Sequence, residues 1–245
     1  MTPAVSPSDP KPQPTPQGLK NIVLVHGGLV DGSSWARIIP LLQAAGYHVT
    51  AVQNPLTALA DDVATTTRAI ARHDGPVLLV GHSYGGMVIT EAGDHPAVAG
   101  LVYVAAYAPD QGQSLSDAAQ QGPAPAGGQN LRPDAAGFLT VTPEGLAADL
   151  GPDLTPAERQ LFLAVQQPLF GGATQEKVRA AAWQTKPNWY VVAADDRTVN
   201  PDLQRAMAHK INATTRTVPG SHLFILSQPA LVAAAIIEAA QQIRA

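Results

Sequence analysis

The stretch Gly81-His82-Ser83-Tyr84-Gly85-Gly86 contains the pattern GxSxG between two apolar segments. The preceding run, residues 76–80, favours a strand, and the following segment, residues 87–92, favours a helix. A serine at the tip of a sharp strand-to-helix turn projects its hydroxyl away from the backbone, and such a crowded turn accepts only glycine two positions to either side. The stretch therefore predicts that Ser83 is an exposed nucleophile, and a glycine-rich connection between strand and helix with an incidental serine is the alternative.

Strands and helices are predicted to alternate on both sides of this turn. Helical signals follow the apolar runs, such as the Asp61 and Asp62 charges that suit the positive end of a helix. This alternation implies the α/β class, with a mainly parallel sheet covered by helices on both faces. The predicted strands are 21–25, 47–52, 77–80, 101–105, 189–193 and 214–218, and the predicted helices include one capped by Ser33 or Ser34 that ends at Gly46, then 59–72, 201–210 and 228–243.

The alternation stops between residues 109 and 186, which is too long a stretch for a simple connection. Proline and glycine are dense over residues 122–133, and helices are predicted near residues 156–166 and 175–183. We interpret this segment as a small cap inserted over the sheet of a single domain, residues 19–245. Residues 1–18 are rich in proline and polar residues, a composition that predicts a flexible tail.

Composition limits the partners expected for this chain. Only 14% of its 245 residues are charged, the net charge is −4, and no cluster of Lys or Arg forms a basic stripe, so nucleic acid is not expected. No window approaches about 18 consecutive apolar residues, so no membrane is expected either. The chain has no cysteine, and its histidines lack the spacing of a helical metal site, so neither a metal nor another cofactor is predicted.

The cellular location is left open by the sequence. The first residues lack the basic flank and apolar centre of a secretory signal, which favours the cytoplasm. A secreted protein whose signal peptide has been removed is the alternative, because a chain without cysteine can fold in either redox compartment.

A nucleophilic serine needs a base, and three histidines follow Ser83 in the chain. His95 and His209 fall in predicted helices, where surface or capping roles are expected. His222 instead lies in a loop directly after the predicted strand 214–218, at the sheet edge where Ser83 is exposed. His222 is therefore the candidate base, and a loop histidine without a task is the alternative.

A base histidine needs a carboxylate to hold its tautomer, and Asp195 and Asp196 follow the predicted strand 189–193 at the same edge. Two backbone N–H groups are also needed for the oxyanion that forms during acyl transfer. The amide of Tyr84 is one candidate because it directly follows the nucleophile. The second is expected from the loop His26-Gly27-Gly28 after the first strand.

With the order serine, aspartate, histidine, the chain resembles the α/β-hydrolase superfamily from about residue 21 onward. It is most similar to the group of methylesterases and hydroxynitrile lyases and their bacterial esterase relatives. The resemblance rests on the stretches 25–28, 81–86, 195–198, 201–205 and 220–222. It implies a six-stranded sheet in the order 2-1-3-4-5-6, Asp196 as the acid with Asp195 as the alternative, Gly28 and Tyr84 as oxyanion donors, and His82 as a support of the turn.

These features predict a cofactor-independent serine hydrolase for small, mainly apolar carboxylic esters, which could form a homodimer. The rival hypotheses are a hydroxynitrile lyase, a perhydrolase or haloperoxidase-like enzyme, an amidase or lactonase, and a non-catalytic small-molecule binding protein. The predicted pocket walls are apolar or aromatic, and for each residue ordinary core packing is the alternative: Leu29, Trp35, Tyr84, Phe138, Trp183 and Leu223.

Two positions favour the hydrolase over the lyase. The resemblance implies that hydroxynitrile lyases of this group carry a lysine directly after the histidine, where its charge stabilises departing cyanide, and this chain has Leu223 there. They also carry a threonine before the oxyanion residue, where this chain has Gly27. We therefore expect ester hydrolysis and negligible cleavage of mandelonitrile.

Overall fold

The computed structural model describes residues 18–123 and 130–243, and the predicted tail falls outside these ranges except for its last residue. Six parallel strands form one sheet: β1 (Asn21–Val25), β2 (His48–Ala51), β3 (Val77–His82), β4 (Val98–Val104), β8 (Asn188–Ala193) and β9 (Thr214–Val218). Their order across the sheet is β2-β1-β3-β4-β8-β9. If these six strands are numbered 1 to 6 along the chain, their order across the sheet is 2-1-3-4-5-6, which confirms the expected arrangement.

The inner strands are mainly apolar because helices cover both faces of the sheet, although Asn21, His82 and Asn188 are polar. Every residue of β1, β3 and β8 is buried. Successive side chains point to opposite faces, so Val23 and Val25 join one core while Ile22 and Leu24 join the other. The two cores hold the strand ends, and therefore the loops beyond them, in fixed positions.

Helices α2, α3 and α7 contribute to the first core, and helices α1, α8 and α9 to the second. Within the described ranges, no helix is long and apolar enough to cross a membrane. The helices that cover the sheet are α1 (Ile39–Ala44), α2 (Leu59–Ile70), α3 (Gly85–Ala92), α7 (Pro201–Lys210), α8 (Phe224–Ser227) and α9 (Pro229–Gln242).

The predicted helix ending at Gly46 is split into two pieces. A 3₁₀ turn spans Gly32–Trp35, and α1 begins only at Ile39. The turn is capped by Asp31, whose carboxylate accepts the backbone N–H of Ser33 at 2.8 Å, and not by Ser33 or Ser34 as predicted. Pro40 lacks an N–H and cannot donate to the preceding turn, so the helix cannot run on from it.

The segment between β4 and β8 contains a second sheet that the sequence did not predict. Its three antiparallel strands lie in the order β5-β6-β7. Strand β7 is tied to the main domain, since the backbone N–H of Phe170 donates to the carbonyl of Leu56 at 2.9 Å. The elements of this segment are α4 (Leu115–Ala119), β5 (Leu131–Pro133), β6 (Phe138–Val141), α5 (Pro143–Gly145), which continues into a π turn at Leu146–Leu150, α6 (Pro156–Val165) and β7 (Leu169–Phe170).

Helix α6 confirms one of the two helices predicted in this segment, but the other, near residues 175–183, is wrong. That stretch is irregular between two 3₁₀ turns, Gly171–Gln175 and Ala182–Gln184. Its backbone pairs with neighbours instead: Val178 exchanges hydrogen bonds with residues 112 and 113, and the N–H of Arg179 donates to the Glu91 carboxylate at 2.8 Å. These tertiary partners outweigh the helical preference of the local sequence.

Candidate active site

The sheet brings the predicted site residues to one edge. Strands β1 and β3 are neighbours, and the direction of chain progression across the sheet reverses between them. Gly28 follows β1 and Ser83 follows β3, so both lie at the carboxyl ends of these strands. A switch point of this kind opens a crevice in parallel α/β sheets, and a cavity lies here.

Ser83 occupies a strained turn between β3 and α3. Its φ is 54°, a left-handed conformation that residues other than glycine rarely adopt. A Cβ at Gly81 would lie 2.6 Å from the carbonyl oxygen of Gly85, and a Cβ at Gly85 would lie 2.6 Å from that of Val25. Both positions therefore require glycine, for the reason that the sequence pattern indicates.

Ser83, His222 and Asp196 form a continuous chain of hydrogen bonds. Ser83 Oγ lies 2.8 Å from His222 Nε2, and His222 Nδ1 lies 2.7 Å from Asp196 Oδ2. The carboxylate accepts the Nδ1–H proton, which leaves Nε2 free to accept the serine hydroxyl. The other two histidines lie elsewhere: His95 accepts a backbone N–H beyond α3, and His209 lies in the last turn of α7.

Three further donors hold the Asp196 carboxylate. The backbone N–H groups of Thr198 and Val199 donate to Oδ1 at 2.7 and 2.9 Å, and Gln204 Nε2 donates to Oδ2 at 2.8 Å. Gln204 is fully buried, and its Oε1 accepts the backbone N–H of Ala193 at 3.0 Å. Gln204 is missing from the sequence prediction because a glutamine within a helix usually faces solvent.

Asp195, the alternative acid, has a different environment. Its side chain is exposed, and its Oδ2 accepts the backbone N–H of Gly220 at 2.9 Å. The main chains of the same two residues also pair, since the N–H of Asp195 donates to the carbonyl of Gly220 at 3.1 Å. Asp195 thus braces the loop that carries His222 and does not contact the imidazole.

A second carboxylate, from the cap segment, anchors the same loop. Asp153 accepts the backbone N–H of Ser221 at 3.0 Å, the hydroxyl of Ser221, and the hydroxyl of Ser227 at 2.7 Å. Burial alone would raise the pKa of Asp153, but these hydrogen bonds outweigh it and hold that pKa below its ordinary value. The loop before and after His222 is therefore fixed by an ionised side chain.

His82 supports the loop that carries His222. Its Nε2–H donates to the backbone carbonyl of His222 at 2.9 Å, and its ring meets Trp35 edge-on at a centroid distance of 6.3 Å. Burial, reinforced by the nearby imidazole of His222, lowers the pKa of His82 well below its ordinary value. A neutral, fully enclosed ring suits a structural support, which is the role that the sequence comparison implied.

His26 orders the loop that carries Gly28. Its Nδ1–H donates to the carbonyl of Gly27 at 2.8 Å, and its Nε2 accepts the backbone N–H of Asn54 at 3.0 Å. Both ring nitrogens are used by the neutral form, and burial lowers the pKa of His26. The imidazole thus ties the loop after β1 to the loop after β2.

A mainly apolar cavity of about 210 Å³ opens beside Ser83 and His222. Gly28, Leu29 and Tyr84 lie on its wall. The wall also includes one member of an ion pair: Asp149 lines the cavity and forms an ion pair with Arg197 Nε at 3.0 Å. The remaining lining residues come mostly from the cap segment: Tyr107, Leu115, Ala119, Leu131, Leu139, Val141, Gly145, Leu150, Leu169, Thr174 and Thr198.

Four of the six predicted wall residues do not line this cavity. Trp35 is fully buried in the second core, on the other side of the sheet. Trp183 donates its indole N–H to the carbonyl of Pro109 at 2.8 Å. Leu223 is 1% exposed and its backbone N–H donates to Leu150, while Phe138 packs its ring against another phenylalanine of the small sheet at a centroid distance of 5.3 Å.

The error at Phe138 has a simple cause. Phe138 and Leu139 are adjacent on β6, so their side chains point to opposite faces of the small sheet. Leu139 and Val141 share the face that lines the cavity. Their two-residue spacing was visible in the sequence, but only the pairing of β6 with β5 and β7 decides which face is inside.

The described residues contain no group of three or more His, Asp or Glu side chains placed to bind a metal ion. At this edge the side chains of Ser83, His222 and Asp196 place a hydroxyl, an imidazole and a carboxylate in series.

Comparisons with known proteins find relatives and structures that are similar over most of the chain. A pyrethroid hydrolase from Sphingobium wenxiniae is 29% identical, over 89% of this chain and 86% of its own. Methylesterase 8 of Arabidopsis thaliana is 26% identical, over 87% of this chain and 86% of its own. The crystal structure of a pyrethroid hydrolase from Sphingobium faniae superimposes with a TM-score of 0.74 at 23% identity, covering 91% of this chain and 98% of that one.

The α/β hydrolase family model matches residues 22–235, a range that includes Ser83, Asp196 and His222. The match covers most of the chain, and the sheet order and the turn at Ser83 fit it. This chain therefore belongs to the α/β-hydrolase family.

Proposed function

We propose that the protein is a serine hydrolase that cleaves small, mainly apolar carboxylic esters. The hydrogen-bond chain from Ser83 through His222 to Asp196, open to an apolar cavity, is the observation that carries the proposal. Relatives that bear the names of a pyrethroid hydrolase and a methylesterase support the ester as the substrate class.

In the first half of the reaction, Ser83 Oγ attacks the acyl carbon while His222 Nε2 takes its proton. The Asp196 carboxylate holds the Nδ1–H and stabilises the imidazolium that forms. The tetrahedral intermediate collapses when His222 returns the proton to the leaving alcohol. Water then repeats these steps on the acyl-enzyme, with His222 again as the base, and releases the acid and free Ser83.

The backbone N–H groups of Gly28 and Tyr84 are assigned to the developing oxyanion. Both residues lie on the wall of the cavity beside Ser83. Tyr84 is the N-cap of α3, and the first N–H groups of a helix have no acceptor within that helix. The imidazole of His26 supports the assignment of Gly28 because it fixes the carbonyl of the preceding residue.

The cavity suggests the size of the group beside the ester carbonyl. An apolar protein cavity of about 150 Å³ is large enough for benzene. The cavity beside Ser83, at about 210 Å³, can therefore hold an aryl ring or a branched alkyl group. A second cavity of about 170 Å³ lies against α6, but none of the three triad residues lines it.

The test is hydrolysis of esters of graded acyl and alcohol length by the wild type and by Ser83→Ala. We expect Ser83→Ala to lose ester turnover and labelling by a fluorophosphonate, with an unchanged melting temperature. His222→Ala should be nearly as damaging, and the double variant should be little worse, because the residues act as one unit. Substantial turnover by Ser83→Ala would place the nucleophile elsewhere.

Mandelonitrile, included in the same assay, tests the lyase alternative. In the structure a Cβ at Gly27 would lie 2.8 Å from the Cβ of Ser83, so a threonine does not fit there without movement. Leu223 is buried and provides no charge near His222. We expect negligible cleavage, and cleavage of mandelonitrile faster than any ester, abolished in Ser83→Ala, would overturn the hydrolase proposal.

A further inference from the structure

Asp62 is a fully buried carboxylate that the triad does not use. It lies in the first turn of α2 and is 0% exposed. A buried carboxylate is costly unless it accepts hydrogen bonds, so its partners show what it does in the fold.

One partner of Asp62 lies next to the nucleophile. The phenol of Tyr84 donates to Asp62 Oδ2 at 2.7 Å, and the backbone N–H of Leu56 donates to Oδ1 at 2.9 Å. Tyr84 follows Ser83 directly, lines the cavity and carries one of the proposed oxyanion amides. A single side chain therefore connects the carboxylate to the catalytic turn.

The surroundings of Asp62 favour its neutral form. Burial raises the pKa of Asp62 to about 6, although the hydrogen bonds from Tyr84 and Leu56 oppose this shift. The charged groups that face it, Asp61 on its own helix and Glu176 from the cap segment, raise it further. The same burial and the Asp62 carboxylate raise the pKa of Tyr84, so its phenol stays protonated and remains a donor.

We propose that Asp62 is a positioning residue, whose ionised carboxylate fixes the Tyr84 side chain and with it the turn that holds Ser83 and the oxyanion amide. The proposal rests on the function proposed above. A hydrogen bond from a hydroxyl to a carboxylate is about twice as strong as one between neutral groups. Protonation of Asp62 weakens this anchor, and small displacements of a catalytic group reduce turnover strongly.

The test compares wild type with Asp62→Asn for hydrolysis of one ester over about pH 4.5 to 8.5. Asparagine has the size of the protonated acid but never ionises. The ratio of wild-type to Asp62→Asn kcat should be about tenfold above pH 7 and fall to about one below pH 5, with KM little changed. Effects of pH that are common to both proteins cancel in the ratio.

Asp61→Asn is the matched control, since this neighbouring carboxylate is exposed and accepts a hydrogen bond from the hydroxyl of Thr57 at 3.1 Å. Its kcat should equal that of the wild type above pH 7. Tyr84→Phe removes only the phenol oxygen, and the ratio of wild-type to Tyr84→Phe kcat should change with pH in the same way. Adding Asp62→Asn to Tyr84→Phe should not lower kcat further. Tyr84→Phe alone tests the proposal if Asp62→Asn does not fold.

A ratio that stays constant with pH, or additive losses in the double variant, would show that Asp62 serves the fold alone and would overturn this inference. Neither result would affect the proposed function, which depends on Ser83→Ala.

Discussion

Asp195 and Asp196 are neighbours in the chain, yet their carboxylates do different work. Asp196 is buried and accepts four hydrogen bonds, one of them from His222. Asp195 is exposed and accepts one from the backbone of Gly220. The difference follows from the turn after β8, which leaves the Asp195 side chain exposed and the Asp196 side chain buried.

Asp196→Asn should therefore reduce kcat by about 10³-fold or more, because asparagine favours the wrong histidine tautomer. Asp195→Asn should cost less than about tenfold, since it disturbs only a brace of the loop. Steady-state kinetics with one ester at pH 8 would measure both. A greater loss in Asp195→Asn would transfer the catalytic role to that residue.

The site residues at strand ends could be predicted from the sequence, but the supporting residues inside helices could not. Ser83, His222 and the Asp195-Asp196 pair follow recognisable strands, and parallel strands place their carboxyl ends at one edge. Gln204 and Asp62 are buried polar side chains on helices. Such residues look like a solvent-facing surface until tertiary contacts show which face of the helix is inside.

Among the elements, the loop that carries His222 is held by three side chains from separate parts of the chain. Asp153 holds it from the cap segment, Asp195 from the end of β8, and His82 from the end of β3. The imidazole can therefore stay aligned with Ser83 although the loop has no regular secondary structure.

Asp153→Ala should lower the free energy of unfolding by about 1 kcal/mol at pH 7 and reduce kcat several-fold, because three hydrogen bonds are lost. The pKa of Asp153 is depressed in the folded protein, so its contribution is present above the unfolded value near 4 and is lost as pH falls below it. Urea unfolding at pH 7 and pH 3.5 would measure this. An equal difference at both pH values would contradict it.

The elements of the large sheet and those of the cap segment differ in how well the sequence predicts them. Strands buried on both faces read as mainly apolar runs, and β1 begins and ends where predicted. The edge strand β9 also does so, although its first four residues are exposed. The strands of the small sheet have two to four residues, too few for a periodic pattern. Their existence depends on contacts with the main domain, such as that of Phe170 with Leu56.

At the scale of the whole molecule, the site depends on distant parts of the chain. Ser83 and His222 are 139 positions apart and meet only because β3 and β9 belong to one sheet. Within the part of the chain that the structure describes, the six strands of this sheet and the residues around the cavity lie between positions 21 and 222.

Removal of residues 1–17 should therefore leave the melting temperature and the ester kcat/KM nearly unchanged. A polar, proline-rich segment has little apolar surface to bury. Thermal melts and kinetics of the shortened chain would check this, and a large fall in melting temperature would show that the tail packs on the domain.

The left-handed φ of Ser83 also has a consequence for how this protein can evolve. Such a conformation costs a residue with a Cβ about 1–2 kcal/mol, which glycine avoids at the expense of some chain entropy. Ser83→Gly should therefore unfold with a free energy about 0.5–1 kcal/mol higher than Ser83→Ala, and equal denaturant melts of the two variants would contradict the strain.

Random mutation under selection for heat resistance alone would accordingly favour glycine at this position and remove the proposed nucleophile. A laboratory evolution experiment on this chain has to select for turnover in every round, because at residue 83 the mutation that protects the fold is the one that ends the chemistry.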